Sequence, residues 1–191
     1  MLKNADTTSD VQKILRRVGD NQCYYKLNDI QNNIFKVIDK SPGIRYRELA
    51  RQTGFANGVL TYHLNILEQF RYVNKFKHNN ITRYYPRSIP NNELRIISHL
   101  RVHSERDIIL FLLCHDFCTF SEIVQYLRKA PSTVSWHLKR LCEDGILAVH
   151  HREYYLYRIN DKKLVNQMLN KYKESFTDKV VNNFADIADK L

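Results

Sequence analysis

Glycine and proline are scarce in this chain, with five and four residues respectively among 191. So little glycine leaves little capacity for the glycine-rich loops that cradle phosphates in nucleotide-binding enzymes. No G-x-x-x-x-G-K-[ST], G-x-S-x-G or H-E-x-x-H motif occurs, so no catalytic pattern of these kinds is present. We therefore expect a protein that is not an enzyme.

Long apolar runs are also missing. The longest apolar stretch, residues 108–114, is far shorter than the roughly 18 apolar residues that a membrane span requires. The first ten residues are polar and lack the pattern of a signal peptide. We therefore expect no membrane association and a cytoplasmic location.

Cysteine is limited to Cys23, Cys114, Cys118 and Cys142, whose irregular spacing does not form a disulfide framework. With His115, the pair Cys114 and Cys118 supplies three metal ligands at most, whereas a structural zinc site uses four. Because cysteine is among the most buried residue types, we expect Cys114 and Cys118 to pack in a core. No metal or cofactor is predicted, and the sequence gives no support to a redox switch at Cys142.

Positive charge, by contrast, is abundant and unevenly placed. The net charge is +10, and residues 1–90 carry 15 Lys and Arg against 7 Asp and Glu, whereas residues 91–160 carry 9 against 8. Clustered positive charge favours a polyanionic partner, most often nucleic acid. A basic surface that only aids solubility is the alternative.

The most informative pattern is an internal repeat. The segment VLTYHLNIL (residues 59–67) returns 74 positions later as TVSWHLKRL (residues 133–141), and Tyr46 matches Phe120 in the same register. An internal repeat decides the architecture before any local pattern does. The chain is therefore predicted to contain one small fold twice.

Local signals in the second copy predict its order of elements. Ser104 is expected to cap a first helix, and Thr119 with Glu122 has the T-x-x-E spacing of a capping box. Pro131 suits the first position of a third helix, and Gly145 supplies left-handed geometry after its end. The period then switches from about 3.6 to 2 over two β-rich runs, which predicts a hairpin.

Helix, helix, turn, helix and hairpin form a winged helix-turn-helix, and the first copy has the same order with a wing about two residues longer. We predict a mainly α protein with small β-hairpins (α+β). Its parts are an amphipathic N-terminal segment (1–22), a first winged helix-turn-helix domain (23–90), a helical linker (91–103), a second winged helix-turn-helix domain (104–160) and a long C-terminal helix (161–191).

Two segments resemble known families. PSTVSWHLKRLCEDGIL (residues 131–147) resembles the recognition helix and the start of the wing in ArsR-like and MarR-like winged-helix regulators. SPGIRYRELARQTGFANGVLTYHLNILE (residues 41–68) resembles the first domain of archaeal tandem winged-helix transcription regulators. The resemblance implies a transcription regulator that reads double-stranded DNA. ArsR-like proteins often sense metals, but no ligand motif in this chain matches such a site.

Candidate DNA contacts follow from the buried positions of each third helix, because buried residues decide which positions face outward. Small hydroxyl residues and basic side chains at a helix start can approach phosphates and bases. In the second copy, the candidates are Ser132, Thr133, Ser135, Trp136, Lys139 and Arg140, with Arg128 and Lys129 in the preceding turn. In the first copy, they are Asn57, Gly58, Thr61, Tyr62 and Asn65. The wings contribute Lys75, Lys77, His78 and Arg83 in the first domain, and His150, His151 and Arg152 in the second.

His63 and His137 recur in register, but no carboxylate or cysteine repeats beside them in the sequence. We therefore expect each to pack structurally against its wing rather than to bind a metal or take part in catalysis.

The last 31 residues carry an apolar stripe at helical spacing from Val165 to Leu191, with one possible break at Ser175 or Thr177. Such a stripe exceeds what a domain of about 80 residues can cover, so it favours a homodimer interface. A helix folded back across its own chain is the alternative. For the whole protein, the alternatives to a regulator are a protein-binding winged-helix scaffold and a non-specific archaeal chromatin protein.

Overall fold

The computed structural model describes residues 26–78, 80–151 and 154–176 of the chain. The predicted amphipathic segment, residues 1–22, lies outside the described residues, and so does the end of the C-terminal stripe.

The first domain has three helices and a three-stranded antiparallel sheet. The sheet has the order β1-β3-β2, and β2 pairs with β3 from Val73 opposite Pro86 to His78 opposite Ile81. The elements, in chain order, are α1 (Asp29–Lys40), β1 (Ile44–Arg45), α2 (Tyr46–Thr53), α3 (Asn57–Gln69), β2 (Val73–His78) and β3 (Ile81–Pro86).

The second domain repeats this arrangement, with the sheet order β4-β6-β5. A linker helix, α4 (Asn91–Leu100), precedes it. The domain contains α5 (His103–Cys114), β4 (Cys118–Thr119), α6 (Phe120–Leu127), α7 (Pro131–Glu143), β5 (Leu147–His151) and β6 (Tyr155–Ile159). Helix α8 (Lys162–Tyr172) and a 3₁₀ turn (Lys173–Ser175) come after β6.

The repeat holds in three dimensions, because α1 and α5, α2 and α6, and α3 and α7 each begin 74 positions apart. Two winged helix-turn-helix domains in an α+β fold were therefore correctly predicted. The wings differ less than expected: Val73 pairs with Pro86, and Leu147 pairs with Ile159, so the first hairpin is one residue longer rather than two.

Most of the predicted helix boundaries are confirmed. Thr119 and Glu122 form a complete capping box, Pro131 begins α7, and Gly145 has φ = +71° just after that helix. The Ser104 cap was wrong: α5 begins at His103, and Ser104 is buried within its first turn. Val102 occupies the N-cap position without a side-chain hydrogen bond.

The linker helix α4 belongs to the core of the second domain rather than forming a separate connection. Leu94, Ile97 and Leu100 are buried in the cluster that also contains the second domain's helices. Tyr85 at the end of the first wing joins this cluster, fully buried, with its hydroxyl 2.7 Å from the Ser98 hydroxyl. The two domains therefore share packed surface through the first hairpin and α4.

Close packing at this junction depends on a glycine. Gly43 has φ = +77°, and a Cβ built there would lie 3.2 Å from the Tyr85 ring and from Ile97. Residues other than glycine rarely adopt this backbone conformation, and their Cβ would crowd the Tyr85 ring and Ile97.

The C-terminal stripe is covered by its own chain over the described length. Val165, Met168 and Leu169 on α8 are buried in the second core, with α8 packed on α4. The helix ends at Tyr172 rather than continuing, and Phe176 is buried after the 3₁₀ turn. Over residues 162–176, the C-terminal segment therefore folds back on its own chain, as the alternative prediction has it. Residues 177–191 lie outside the described residues. Within the described part of the chain, no helix is both long enough and apolar enough to cross a bilayer.

Candidate nucleic-acid interface

The outward face of α7 carries most of the second domain's predicted contacts. Val134, Leu138 and Leu141 are buried, which turns the remaining helix positions toward solvent. The Trp136 side chain is 53% exposed, and the Lys139 side chain is 73% exposed. Ser132, Thr133 and Ser135 are also exposed. The face thus combines hydroxyls, one aromatic ring and one exposed amine.

The N-termini of both third helices lack side-chain caps. Ala56 precedes α3 and Ala130 precedes α7, and neither helix has an acidic residue in its first turn. By contrast, α1 and α6 begin with complete capping boxes. The first amide groups of a helix bind anions when no side chain satisfies them. Among these helices, the two third helices therefore have N-termini suited to a phosphate.

The first domain's third helix presents a more neutral face. Asn57, Gly58 and Asn65 are exposed, and Tyr62 is 48% exposed. Thr61 is also exposed, but its hydroxyl lies 3.0 Å from the Tyr46 hydroxyl. The Tyr46 hydroxyl donates to the Asn57 carbonyl. The asparagine amides are the groups here that could hydrogen-bond base edges.

The wings agree with the sequence-based predictions only in part. Lys75 and Lys77 are exposed, and Lys75 makes a loose 3.9 Å pair with Glu68. His150 and His151 are exposed on the second wing, while Arg152 lies outside the described residues.

Arg83 was wrongly predicted to contact DNA, since its side chain points inward. It is 3% exposed and donates from Nη1 to the Gly43 carbonyl at 2.7 Å. In the β1–β3 register it stands opposite Arg45, on a strand whose buried positions lie toward the junction of the domains. Four consecutive β3 residues, Arg83 to Pro86, are buried, and Tyr85 among them contacts Ser98 of the linker helix.

The turn before α7 contains two exposed basic residues. Arg128 ends α6 in the left-handed conformation at φ = +52°. The Lys129 ammonium donates to the hydroxyl of Ser104, which ties the turn to the first turn of α5. Arg128 and Lys129 therefore stay candidate phosphate contacts, with Lys129 held by an internal hydrogen bond.

Arg140 also departs from the prediction, because its side chain folds back against the domain. It is only 11% exposed, pairs with Glu105 at 2.8 Å, and lies 4.4 Å from the centre of the Trp136 ring. The buried carboxylate draws the guanidinium away from solvent, so Arg140 is not an outward phosphate contact. Its role in this structure is to hold Trp136 and α7 in place.

Glu105 is the centre of a buried polar network that was not predicted from the sequence. The fully buried carboxylate accepts from Arg140, from His137 Nδ1 at 3.0 Å and from His99 Nδ1 at 2.7 Å. Burial alone would raise the pKa of Glu105, but the hydrogen bonds and charges of these three partners outweigh burial and lower it. The charged carboxylate therefore links α5, α4 and α7.

The network continues to the first wing through Asp144. His99 Nε2 lies 2.8 Å from the Asp144 carboxylate, and His78 Nε2 lies 3.0 Å from the same oxygen. Asp144 ends α7, whereas His78 lies in the first domain's hairpin. Burial chiefly lowers the pKa of His78. A polar chain therefore joins the first wing to the end of α7.

His78, His99 and Asp144 also have the residue types of a metal site. Their ligand atoms lie within 4.8 Å of one another, and they form the one such group of three in the described residues. Mutual hydrogen bonds account for the arrangement.

The histidine of the first domain has a related but weaker partner. His63 Nδ1 lies 3.5 Å from the Gln31 amide, and Gln31 stands 74 positions before Glu105. Each repeated histidine is therefore within hydrogen-bond distance of the first helix of its domain. The repeat offset contained this signal: each histidine has a polar residue 32 positions before it, a glutamine in one copy and a glutamate in the other.

The cysteines follow the prediction in part. Cys118 is buried, and burial raises the pKa of its thiol to about 11. Cys114 is exposed rather than packed in the core, and Cys142 is half-buried. Burial raises the pKa values of these two thiols as well, which disfavours reactive thiolates.

The described residues thus define tandem winged helix-turn-helix domains with exposed third helices. Comparison with known families agrees: the family described as bacterial regulatory protein, arsR family, matches residues 103–149, and a family described as an N-terminal HTH domain matches residues 28–97. Residues 28–97 are therefore similar to an N-terminal HTH domain, and residues 103–149 are similar to an ArsR-family HTH domain.

A curated relative supports the tandem arrangement. The chain is 31% identical over 148 residues to an uncharacterized HTH-type transcriptional regulator of Methanocaldococcus jannaschii. The similarity covers 78% of this chain and 32% of that protein, so this chain spans about a third of the relative's length.

Proposed function

We propose that this protein is a transcription regulator that binds double-stranded DNA through the third helix of each domain and the basic first wing. The observation that carries the proposal is the exposed face of α7. It joins an uncapped helix start, three hydroxyl residues, Trp136 and Lys139 on one surface. A major groove accepts such a helix, and its phosphates fit an uncapped N-terminus.

The two domains would contribute differently to recognition. On α3, Asn57 and Asn65 can each form two hydrogen bonds with an adenine edge, which favours base reading. On the first wing, Lys75 and Lys77 favour phosphate contacts, because charge neutralisation is independent of sequence. The second domain lacks a comparable lysine pair on its described wing residues, so α7 is its main candidate surface.

We also propose that the protein acts as a homodimer through residues 177–191. The apolar stripe continues there with Val180, Phe184, Ile187 and Leu191. The preceding part of the stripe is covered by the second core, so the proposal rests on the sequence pattern of residues 177–191.

Fluorescence anisotropy with labelled duplexes tests the proposal. Binding of a random duplex and of a duplex enriched by selection should be compared across a series of salt concentrations. We expect tighter binding to the selected duplex and, for both, affinity that falls steeply with salt. No binding at low salt would reject DNA binding and favour a protein-binding scaffold, whereas equal affinity for every duplex would favour a chromatin-coating protein.

A matched pair of variants assigns the surface. Lys139→Ala should reduce the slope of log affinity against log salt by about 0.9, because one phosphate contact is lost. Lys36→Ala removes the same charge from an exposed position on α1 and should leave the slope unchanged. Equal effects of the two changes would mean that binding reflects overall charge rather than α7. Arg140 is unsuitable for this test, because its loss would disturb the Glu105 network.

A further inference from the structure

A cavity rich in arginine lies where the two domains meet. Its volume is about 460 Å³, within the range of roughly 300–1,000 Å³ typical of small-molecule sites. Six arginines line it against a single carboxylate, Glu48, and the residues after α8 close one side. The arginines are Arg45, Arg47, Arg51 and Arg83 from the first domain, Arg101 after the linker helix, and Arg106 from α5.

Arg83 is the most deeply buried of the four cavity arginines that come from the first domain. Its Nη1 donates to the Gly43 carbonyl, but its Nη2 is buried and has no hydrogen-bond partner. The pKa of Arg83 is lowered to about 10, chiefly by burial and in smaller part by the neighbouring Arg45 and Arg101. Arg83 therefore lines the cavity while one of its guanidinium nitrogens has no hydrogen-bond partner.

Arg101 repeats this pattern from the opposite side. It donates from Nε to the Pro42 carbonyl at 3.0 Å and from Nη1 to the Ser175 carbonyl at 2.8 Å. Its Nη2 is buried without a partner, and its guanidinium lies 5.3 Å from the centre of the Phe176 ring. Backbone carbonyls therefore hold both arginines in fixed orientations without neutralising their charge.

This arrangement is costly without an anion. No carboxylate lies within ion-pair distance of Arg83 or Arg101 among the described residues, although buried charges are normally paired. Oriented guanidinium groups match the oxygens of phosphates, which accept paired hydrogen bonds.

We propose that this cavity binds a small phosphorylated anion. The two buried Nη2 groups would donate to its phosphate oxygens, while Arg47 and Arg51 at the exposed edge would neutralise further charge. A small anion suits the site better than a DNA backbone, because Arg83 is buried and a rigid duplex reaches only exposed groups. Since its walls come from both domains, the bound anion would add contacts between them.

Isothermal titration calorimetry with the whole protein tests this proposal. The probes are inorganic pyrophosphate, AMP and citrate, each titrated at the same ionic strength. We expect pyrophosphate or AMP to bind at one site per chain and citrate to bind at least tenfold more weakly. Citrate binding as tight as that of both phosphates would overturn the phosphate assignment.

Two cavity variants and one control locate the site. Arg47→Gln with Arg51→Gln changes only exposed residues, so folding should be retained, and Arg83→Met removes a buried donor. Each should weaken binding at least tenfold. Arg95→Gln with Lys163→Gln removes two exposed charges elsewhere and should leave affinity within twofold. Equal losses in the control, or no binding by the unaltered protein, would overturn the proposal.

DNA provides the final distinction from the proposed regulator function. If pyrophosphate binds in the cavity, a random duplex at saturating concentration should not displace it. Two results together would overturn the proposal by making the cavity part of the DNA surface. The duplex would displace pyrophosphate, and the Arg47 and Arg51 changes would weaken DNA binding as much as they weaken pyrophosphate binding. Pyrophosphate binding by a protein that fails to bind DNA would reject only the proposed function.

Discussion

Replacing Glu105 by glutamine tests how helix α7 is held in the second domain. The change keeps the shape of the side chain but removes a fully buried negative charge that three donors share. The amide can still accept through one oxygen, but its NH₂ group then faces a donor rather than an acceptor. The Arg140 guanidinium, 11% exposed, would lose its ionic partner.

The expected cost follows from the burial of the network. Removing one partner of a buried ion pair typically destabilises a protein by about 3–5 kcal/mol, since an uncompensated charge remains. Because glutamine retains one acceptor, we expect a loss near the lower limit, about 3 kcal/mol. Glu143→Gln serves as the control: its pair with Lys139 is exposed at 3.8 Å, and such pairs contribute roughly 0–1 kcal/mol.

Urea unfolding followed by circular dichroism measures both variants. The midpoint for Glu105→Gln should fall well below that of the unaltered protein, with an unchanged m-value. A double-mutant cycle adds Arg140→Met, which should cost less in the Glu105→Gln background than alone. A loss below about 1 kcal/mol for Glu105→Gln, or additive costs in the cycle, would refute the account of the network.

Two further predictions concern DNA binding and pH. Ala130→Asp should add a cap to α7 and stabilise the protein by about 1 kcal/mol, while its carboxylate should weaken DNA binding at least tenfold by occupying the phosphate position. Urea unfolding and anisotropy measure the two effects, and unchanged DNA affinity would contradict the proposed phosphate contact. For pH, burial lowers the pKa values of His63 and His78 below 6.5 in the folded protein, so the unfolded chain binds more protons in that window. Unfolding free energy should therefore decrease as pH falls from 6.5 toward the folded pKa values, and the lowered pKa of Glu105 should bring a further loss below about pH 4.5. Urea midpoints between pH 3.5 and 8 measure this, and a midpoint that rises on acidification would exclude the assigned directions.

The fold was largely predictable because its signals are local or repeated. The capping box at Thr119, the proline that begins α7 and the glycine after it each act within one turn of a helix. The offset of 74 positions then carried the same assignments to the first domain. Such signals depend on backbone geometry, which neighbours in the sequence determine.

The site was less predictable because its partners are distant in sequence. Helical spacing placed Arg140 near the surface, but it could not reveal that a carboxylate 35 positions earlier would draw the side chain inward. Likewise, strand alternation could not reveal that Arg83 turns inward to the Gly43 carbonyl, 40 positions earlier. The three arginines in RYRELAR (residues 45–51) were a visible signal for the cavity, yet their convergence depends on how the domains pack.

Site-specific photocrosslinking to DNA tests the central claim most directly. A benzophenone amino acid placed at Trp136 on α7, or at Tyr62 on α3, replaces an exposed aromatic ring on each proposed reading face. With the selected duplex bound, we predict crosslinks from both positions and none from Lys36 on α1. Stoichiometric DNA binding without a crosslink from either Trp136 or Tyr62 would contradict the claim that the third helices read DNA.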